Sequence, residues 1–154
     1  MAAEAVLKPD AVIRALQGAY GRGARRRELL EIAAARIHAA GPPYTGVYLY
    51  MLQGDDLVLE AHQGRPTEHS RIPVGTGLCG QAVAERRDIN EMDVASAPGY
   101  LACSLETKSE LIVLIRRHDQ ILGQIDIDSD VPAGFNDAEH AAVKEVADAL
   151  AALL

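Results

Sequence analysis

Apolar positions recur with two different periods along the chain. Between residues 10 and 40 the spacing is helical: Val12, Ile13, Leu16 and Tyr20 form one stripe, with Asp10 as a candidate N-cap. Gly18, Gly21 and Gly23 break this first helix. A second is predicted over 25–39, with Leu29, Leu30, Ala33 and Ile37 on its apolar side, and Gly41-Pro42-Pro43 ends the helical region. From Tyr44 the texture changes. Residues 44–52, rich in Val, Tyr and Leu, read as a strand, Gly54-Asp55-Asp56 as a turn, and 57–61 as the hairpin partner. A short extended piece over 71–74 precedes Gly75, Gly77 and Gly80 and a short helix over 78–85. Residues 87–108 show little periodicity, and a loop of that length in a compact domain is more often functional than idle. Strong strands follow over 109–117 and 121–128. The last helix begins near Asn136, which has capping-box spacing to Glu139, and carries Val143, Val146, Leu150 and Leu154 on its apolar face. Terminal helices around an antiparallel sheet predict an α+β fold.

The hairpin over 110–128 carries the most information. With its loop centred on Asp119, residues whose numbers sum to about 238 lie opposite each other, and side chains alternate between faces. Leu111, Val113, Ile115, Ile121, Ile125 and Ile127 then form a wholly apolar face suited to the terminal helices. The other face carries Glu110, Ile112, Leu114, Leu122, Gln124, Asp126 and Asp128. Glu110 falls opposite Asp128, with Asp126 on the same side. Like charges across strands are destabilising, and carboxyl groups sharing a site raise at least one pKa. Either this end is solvated, or it forms a pocket in which one acid stays protonated and donates.

Composition narrows the classes. The chain has 154 residues, 49% hydrophobic and 24% charged, as expected of one globular domain spanning 1–154. A net charge of −7 argues against a general nucleic-acid binder, and the Arg25-Arg26-Arg27 cluster reads first as a solvated face or partner contact. No apolar run is long enough to span a membrane, and the N-terminal stretch lacks a signal-peptide pattern, so a cytoplasmic protein is expected. Two cysteines are too few for a disulfide framework, and with five scattered histidines they show no structural zinc spacing. No metal is expected.

Cys79 lies among glycines at the predicted start of a helix, where the dipole lowers a thiol pKa. Cys103 lies in the long loop, seven residues before Glu110. Each is either an inert core residue or half of a redox pair; spacing leaves both readings open.

Several segments together resemble one family. Tyr44-Thr-Gly-Val-Tyr-Leu49, His62-Gln-Gly64, Arg71-Ile-Pro-Val-Gly-Thr-Gly-Leu-Cys-Gly80, Gly99-Tyr-Leu-Ala-Cys103, Thr107-Lys-Ser-Glu110 and Gly123-Gln-Ile-Asp-Ile-Asp-Ser129 resemble the motif series of the free methionine-(R)-sulfoxide reductases. These are a branch of the GAF-domain superfamily. The resemblance implies a six-stranded antiparallel sheet over 44–154, with the helices of 1–40 and the C-terminal helix on one face and a ligand pocket on the other. It implies Cys103 as the nucleophile. Glu110, Asp126 and Asp128 would be the acids that hold the substrate and protonate its oxygen, with Tyr44 and Tyr48 beside them. Many members carry a third cysteine where this chain has His69, and a Trp where it has Tyr44, which leaves Cys79 as the resolving thiol. The implied partners are free methionine sulfoxide and an external thioredoxin-type thiol reductant, with no bound cofactor, in a homodimer. A GAF sensory module without turnover and a dimerising scaffold are the competing readings.

Overall fold

The computed structural model describes residues 4–100 and 106–154. Its elements run α1 (Pro9–Gly21), α2 (Arg26–His38), β1 (Gly46–Gln53), β2 (Asp56–Gly64), β3 (Arg71–Pro73), α3 (Gly77–Glu85), β4 (Ile89–Glu91), β5 (Ser109–Arg117), β6 (Gln120–Ser129) and α4 (Asp137–Leu153), with a 3₁₀ turn at Val94–Ser96. The strands form one antiparallel sheet in the order β3-β2-β1-β6-β5-β4.

Alternation along the strands divides the interior in two. Val47, Leu49 and Met51 of β1, Leu111, Val113 and Ile115 of β5, and Ile125 and Ile127 of β6 face α1, α2 and α4 in the larger core. Tyr48, Tyr50, Ile112 and Leu114 face the other way, against Leu78, Ala82 and Val83 of α3. This is the expected α+β arrangement, with the N- and C-terminal helices on one face. The β5–β6 register also matches the expectation, with Glu110 opposite Asp128 and Ile112 opposite Asp126.

Four expectations need correction. Leu122 has no partner in β5, because Ile115 pairs with Gly123 and Arg116 with Ile121. This bulge reverses the alternation, so Ile121 packs in the smaller core and Leu122 against the larger one. In the supposedly irregular stretch after Arg87, Ile89–Glu91 forms an edge strand on β5; three residues are too few to show a period. Gly18 lies inside α1, and only Gly23, at φ 91°, adopts the backbone that ends it. Lys8 occupies the N-cap with Pro9 at the first helical position, and Asp10 lies in the first turn, where its charge suits the helix dipole.

Asn136 caps α4 by accepting from the Glu139 N–H at 2.9 Å. The Glu139 carboxylate does not return to the cap as a capping box would have it. It turns inward, 3% exposed, and accepts from the Val6 N–H at 2.6 Å, the Leu7 N–H at 3.2 Å and the Tyr44 hydroxyl at 2.5 Å. No described helix is long and apolar enough to cross a membrane. Of the arginine cluster, Arg26 makes a two-pronged bond to Glu60 and Arg27 pairs with Glu31 one turn on.

Candidate active site

The smaller core opens onto a cavity of about 10 Å³, room for one water molecule. Several parts of the fold build it. Tyr50 of β1 and Asp126 of β6 supply its sheet side, Glu110 enters from the start of β5, and Thr76, Gly77, Leu78 and Cys79 bring the N-terminal turn of α3. The segment around His69 closes the rim.

The turn leading into α3 is held tightly. Gly75 N–H donates to the Gly80 carbonyl at 2.9 Å, and a Cβ on Gly80 would stand 2.6 Å from the Pro73 carbonyl oxygen. Only glycine allows the helix to start so close to β3. The buried side-chain amide of Gln124 then donates to the Cys79 carbonyl at 3.0 Å, fastening α3 to β6. Cys79 is therefore held from both sides.

Cys79 Sγ lies 3.9 Å from Glu110 Oε2, and Asp126 hydrogen-bonds with both. All three are buried, at 7%, 4% and 1% exposure. Burial pushes the Cys79 thiol well above its usual pKa, and the negative charge of Asp126, Glu110 and Asp128 pushes it further. The expected lowering by the helix dipole is overridden, because desolvation and three nearby carboxyl groups act in the opposite sense. Burial likewise raises the Asp126 pKa, against hydrogen bonds from Glu110 and Cys79 that favour its ionised form. An acid of this kind keeps its proton further toward neutral pH than an exposed one, and can donate it.

Not every predicted site residue meets there. Asp128 is buried opposite Glu110, one alternation beyond Asp126, beside the cavity without lining it. Tyr48 lies opposite Asp126 on the pocket face; its hydroxyl donates to the Arg65 carbonyl at 2.6 Å and its ring stacks on His62. Tyr44 lies elsewhere in the fold. It belongs to the helix-side core, packed edge-on to Phe135 with its hydroxyl on Glu139, because it precedes β1 and faces away from the pocket. Cys103 lies outside the described residues.

Two lining residues escaped sequence reasoning. Tyr50 shares the Tyr48 face of β1, and strict alternation would have found it. His69, noted only as a departure from a family pattern, borders the same cavity as Cys79. Close by, Arg65 makes a two-pronged pair with Asp130 at 2.6 and 2.7 Å and reaches Glu106 at 2.9 Å. This ties the end of β2 to the residues just after β6 and just before β5.

The GAF domain family profile matches residues 25–154, so the match reaches back to include α2. The free methionine-R-sulfoxide reductase of Escherichia coli is 37% identical over 97 residues, 63% of this chain and 58% of that protein. The chain thus spans less than two thirds of the relatives it matches: 58% of that enzyme and 65% of Protein YtsP of Bacillus subtilis, to which it is 35% identical over 70% of its own length. Among solved structures, that of the type II free methionine-R-sulfoxide reductase of Thermoplasma acidophilum is similar, with a TM-score of 0.80, 39% identity and coverage of 83% of this chain and 91% of that one. The Neisseria meningitidis free methionine-R-sulfoxide reductase, solved with its substrate, gives a TM-score of 0.87 at 27% identity over 99% of this chain and 92% of that one.

Proposed function

The chain belongs to the GAF domain family, and within that fold we propose that it reduces free methionine-(R)-sulfoxide to methionine. The observation that carries this reading is the meeting of a thiol and two buried carboxyl groups, Cys79, Glu110 and Asp126, in one cavity. Relatives and structural neighbours named for this activity support it.

The proposed chemistry balances with these groups. The Cys103 thiolate attacks the sulfoxide sulfur, and a protonated acid, Asp126 foremost, transfers its proton to the sulfoxide oxygen. The hydroxyl so formed passes to the Cys103 sulfur as the new sulfur–sulfur bond breaks, so methionine leaves and Cys103 remains as a sulfenic acid. Cys79 attacks that sulfur, a disulfide forms and water is released. Two electrons from an external thioredoxin-type dithiol restore both thiols. Glu110 and Asp128, when ionised, pair with the ammonium group of a free amino acid, which a methionine within a protein chain lacks. The cavity as it stands is smaller than the substrate, so its rim yields on binding. We assign the enzyme to the cytoplasm, where thioredoxin-type reductants operate, as a homodimer.

The test is consumption of free methionine-(R)-sulfoxide with thioredoxin, its reductase and NADPH. The R form is expected to turn over and the S form and a peptide sulfoxide to remain. Equal consumption of all three, or of none, overturns the proposal.

A further inference from the structure

Cys79, Glu110 and Asp126 come from α3, β5 and β6, so no sequence spacing could have marked them as a ligand set. In space they are one. A single ligand atom from each lies within 4.8 Å of the other two, and all three residues are buried. The cavity they border has room for one water-sized ligand. Asp126 is 1% exposed, and its Oδ1 has no hydrogen-bond partner among the described residues although it is wholly shielded from solvent. A buried carboxylate oxygen left in that state is costly unless something binds it. No lysine or arginine borders the described cavity.

We propose that these three residues form a site for one divalent, borderline-soft cation in the reduced protein, with Zn²⁺ as the best match. The donor set decides the class: a thiolate selects zinc-like ions over magnesium or calcium, and carboxylates complete a set that zinc accepts. The dimensions agree. Zinc bonds of about 2.3 Å to sulfur and 2.0 Å to oxygen, at a tetrahedral angle, place sulfur and oxygen about 3.5 Å apart. Cys79 Sγ and Glu110 Oε2 are at 3.9 Å, so a few tenths of an ångström of contraction suffices. A cation held here occupies the groups assigned above to substrate. Its binding is nevertheless read without substrate, so the outcome is separable from that of the reductase assay.

The experiment is titration of reduced, metal-free protein with Co²⁺, whose thiolate bond absorbs in the near ultraviolet, and with Zn²⁺ under native mass spectrometry. One metal per chain and a charge-transfer band that Zn²⁺ displaces are expected. Cys79→Ser removes the band, Cys103→Ser retains it, and Asp126→Asn or Glu110→Gln weakens affinity by about tenfold or more. Circular dichroism checks that each variant is folded, and the mass measurement on the unaltered chain needs no variant. Failure of the unaltered reduced protein to retain zinc overturns the proposal. So does a band that survives Cys79→Ser, or one that Cys103→Ser abolishes.

Discussion

Glu110 stands directly across the β5–β6 ladder from Asp128, and both carboxyl groups are buried. A strand pair built for stability alone would not place two acids there, since opposed like charges weaken a sheet. The first expectation follows. Asp128→Asn keeps the shape, removes one charge and lowers kcat/KM by about 10²-fold or more if the carboxylate orients substrate. Steady-state kinetics beside a thermal melt separates this from unfolding; full activity in Glu110→Gln, Asp126→Asn and Asp128→Asn alike would rule out a role for the acids.

Asp126 gives a stability prediction whose sign can be worked out. Burial raises its pKa in the folded state. The folded protein then holds the proton more tightly than the unfolded chain. Stability from that proton is complete below the ordinary aspartate pKa and is lost as pH rises through the raised one. Asn mimics the neutral acid at every pH. Urea melts in chelator-containing buffer are therefore expected to show Asp126→Asn gaining on the unaltered protein from acid toward neutral pH. The variant should lose activity over the same range.

Activity should fall as pH rises through the Asp126 pKa, because the proton-donating form is lost. The resolving step should move the opposite way, since Cys79, with its raised pKa, yields more thiolate at higher pH. Single-turnover methionine release and disulfide formation, followed separately across pH, test this. Parallel profiles would contradict it.

Cys103→Ser is expected to abolish reduction. Cys79→Ser is expected to release about one methionine per chain and then stall, because the sulfenic acid has no internal thiol to condense with. Rapid-quench counting of product reads the difference. Sustained turnover in Cys103→Ser would reject the assignment.

Tyr44→Phe separates structure from substrate. Its hydroxyl bonds to Glu139 on the helix side of the sheet. A loss of about 1 kcal/mol in stability is expected, with KM unchanged. A severalfold rise in KM with stability intact would instead place Tyr44 at the substrate.

Glu110 opposite Asp128, with Asp126 on the same face, was legible from residue order because unbroken alternation fixes a register when one face is apolar. Ile121 was misplaced for the same reason: isoleucine and leucine fit either side, so nothing in the pattern marks the bulge at Leu122. The Cys79 environment was hidden too. A helix start favours a thiolate, and only the folded chain reveals that Asp126 and Glu110, far away in sequence, outweigh it. Cys79, Glu110 and Asp126 were each found by residue type, whereas His69 entered the cavity through a segment with no periodicity.

Glu139 has one further consequence. Its carboxylate on α4 is the acceptor for the Val6 and Leu7 amides and the Tyr44 hydroxyl, contacts separated by 133, 132 and 95 residues. During synthesis these early groups wait for a partner made 95 to 133 residues later. β1 waits similarly for β6, one of its two neighbours in the sheet. The emerging chain can form α1 and α2 early, but the sheet closes only after β6 leaves the ribosome, and the strap at residues 6 and 7 only after Glu139 of α4 does. Folding of this domain is thus a late, nearly all-at-once event, and a nascent chain stalled before residue 139 exposes a sheet edge that chaperones would have to shield.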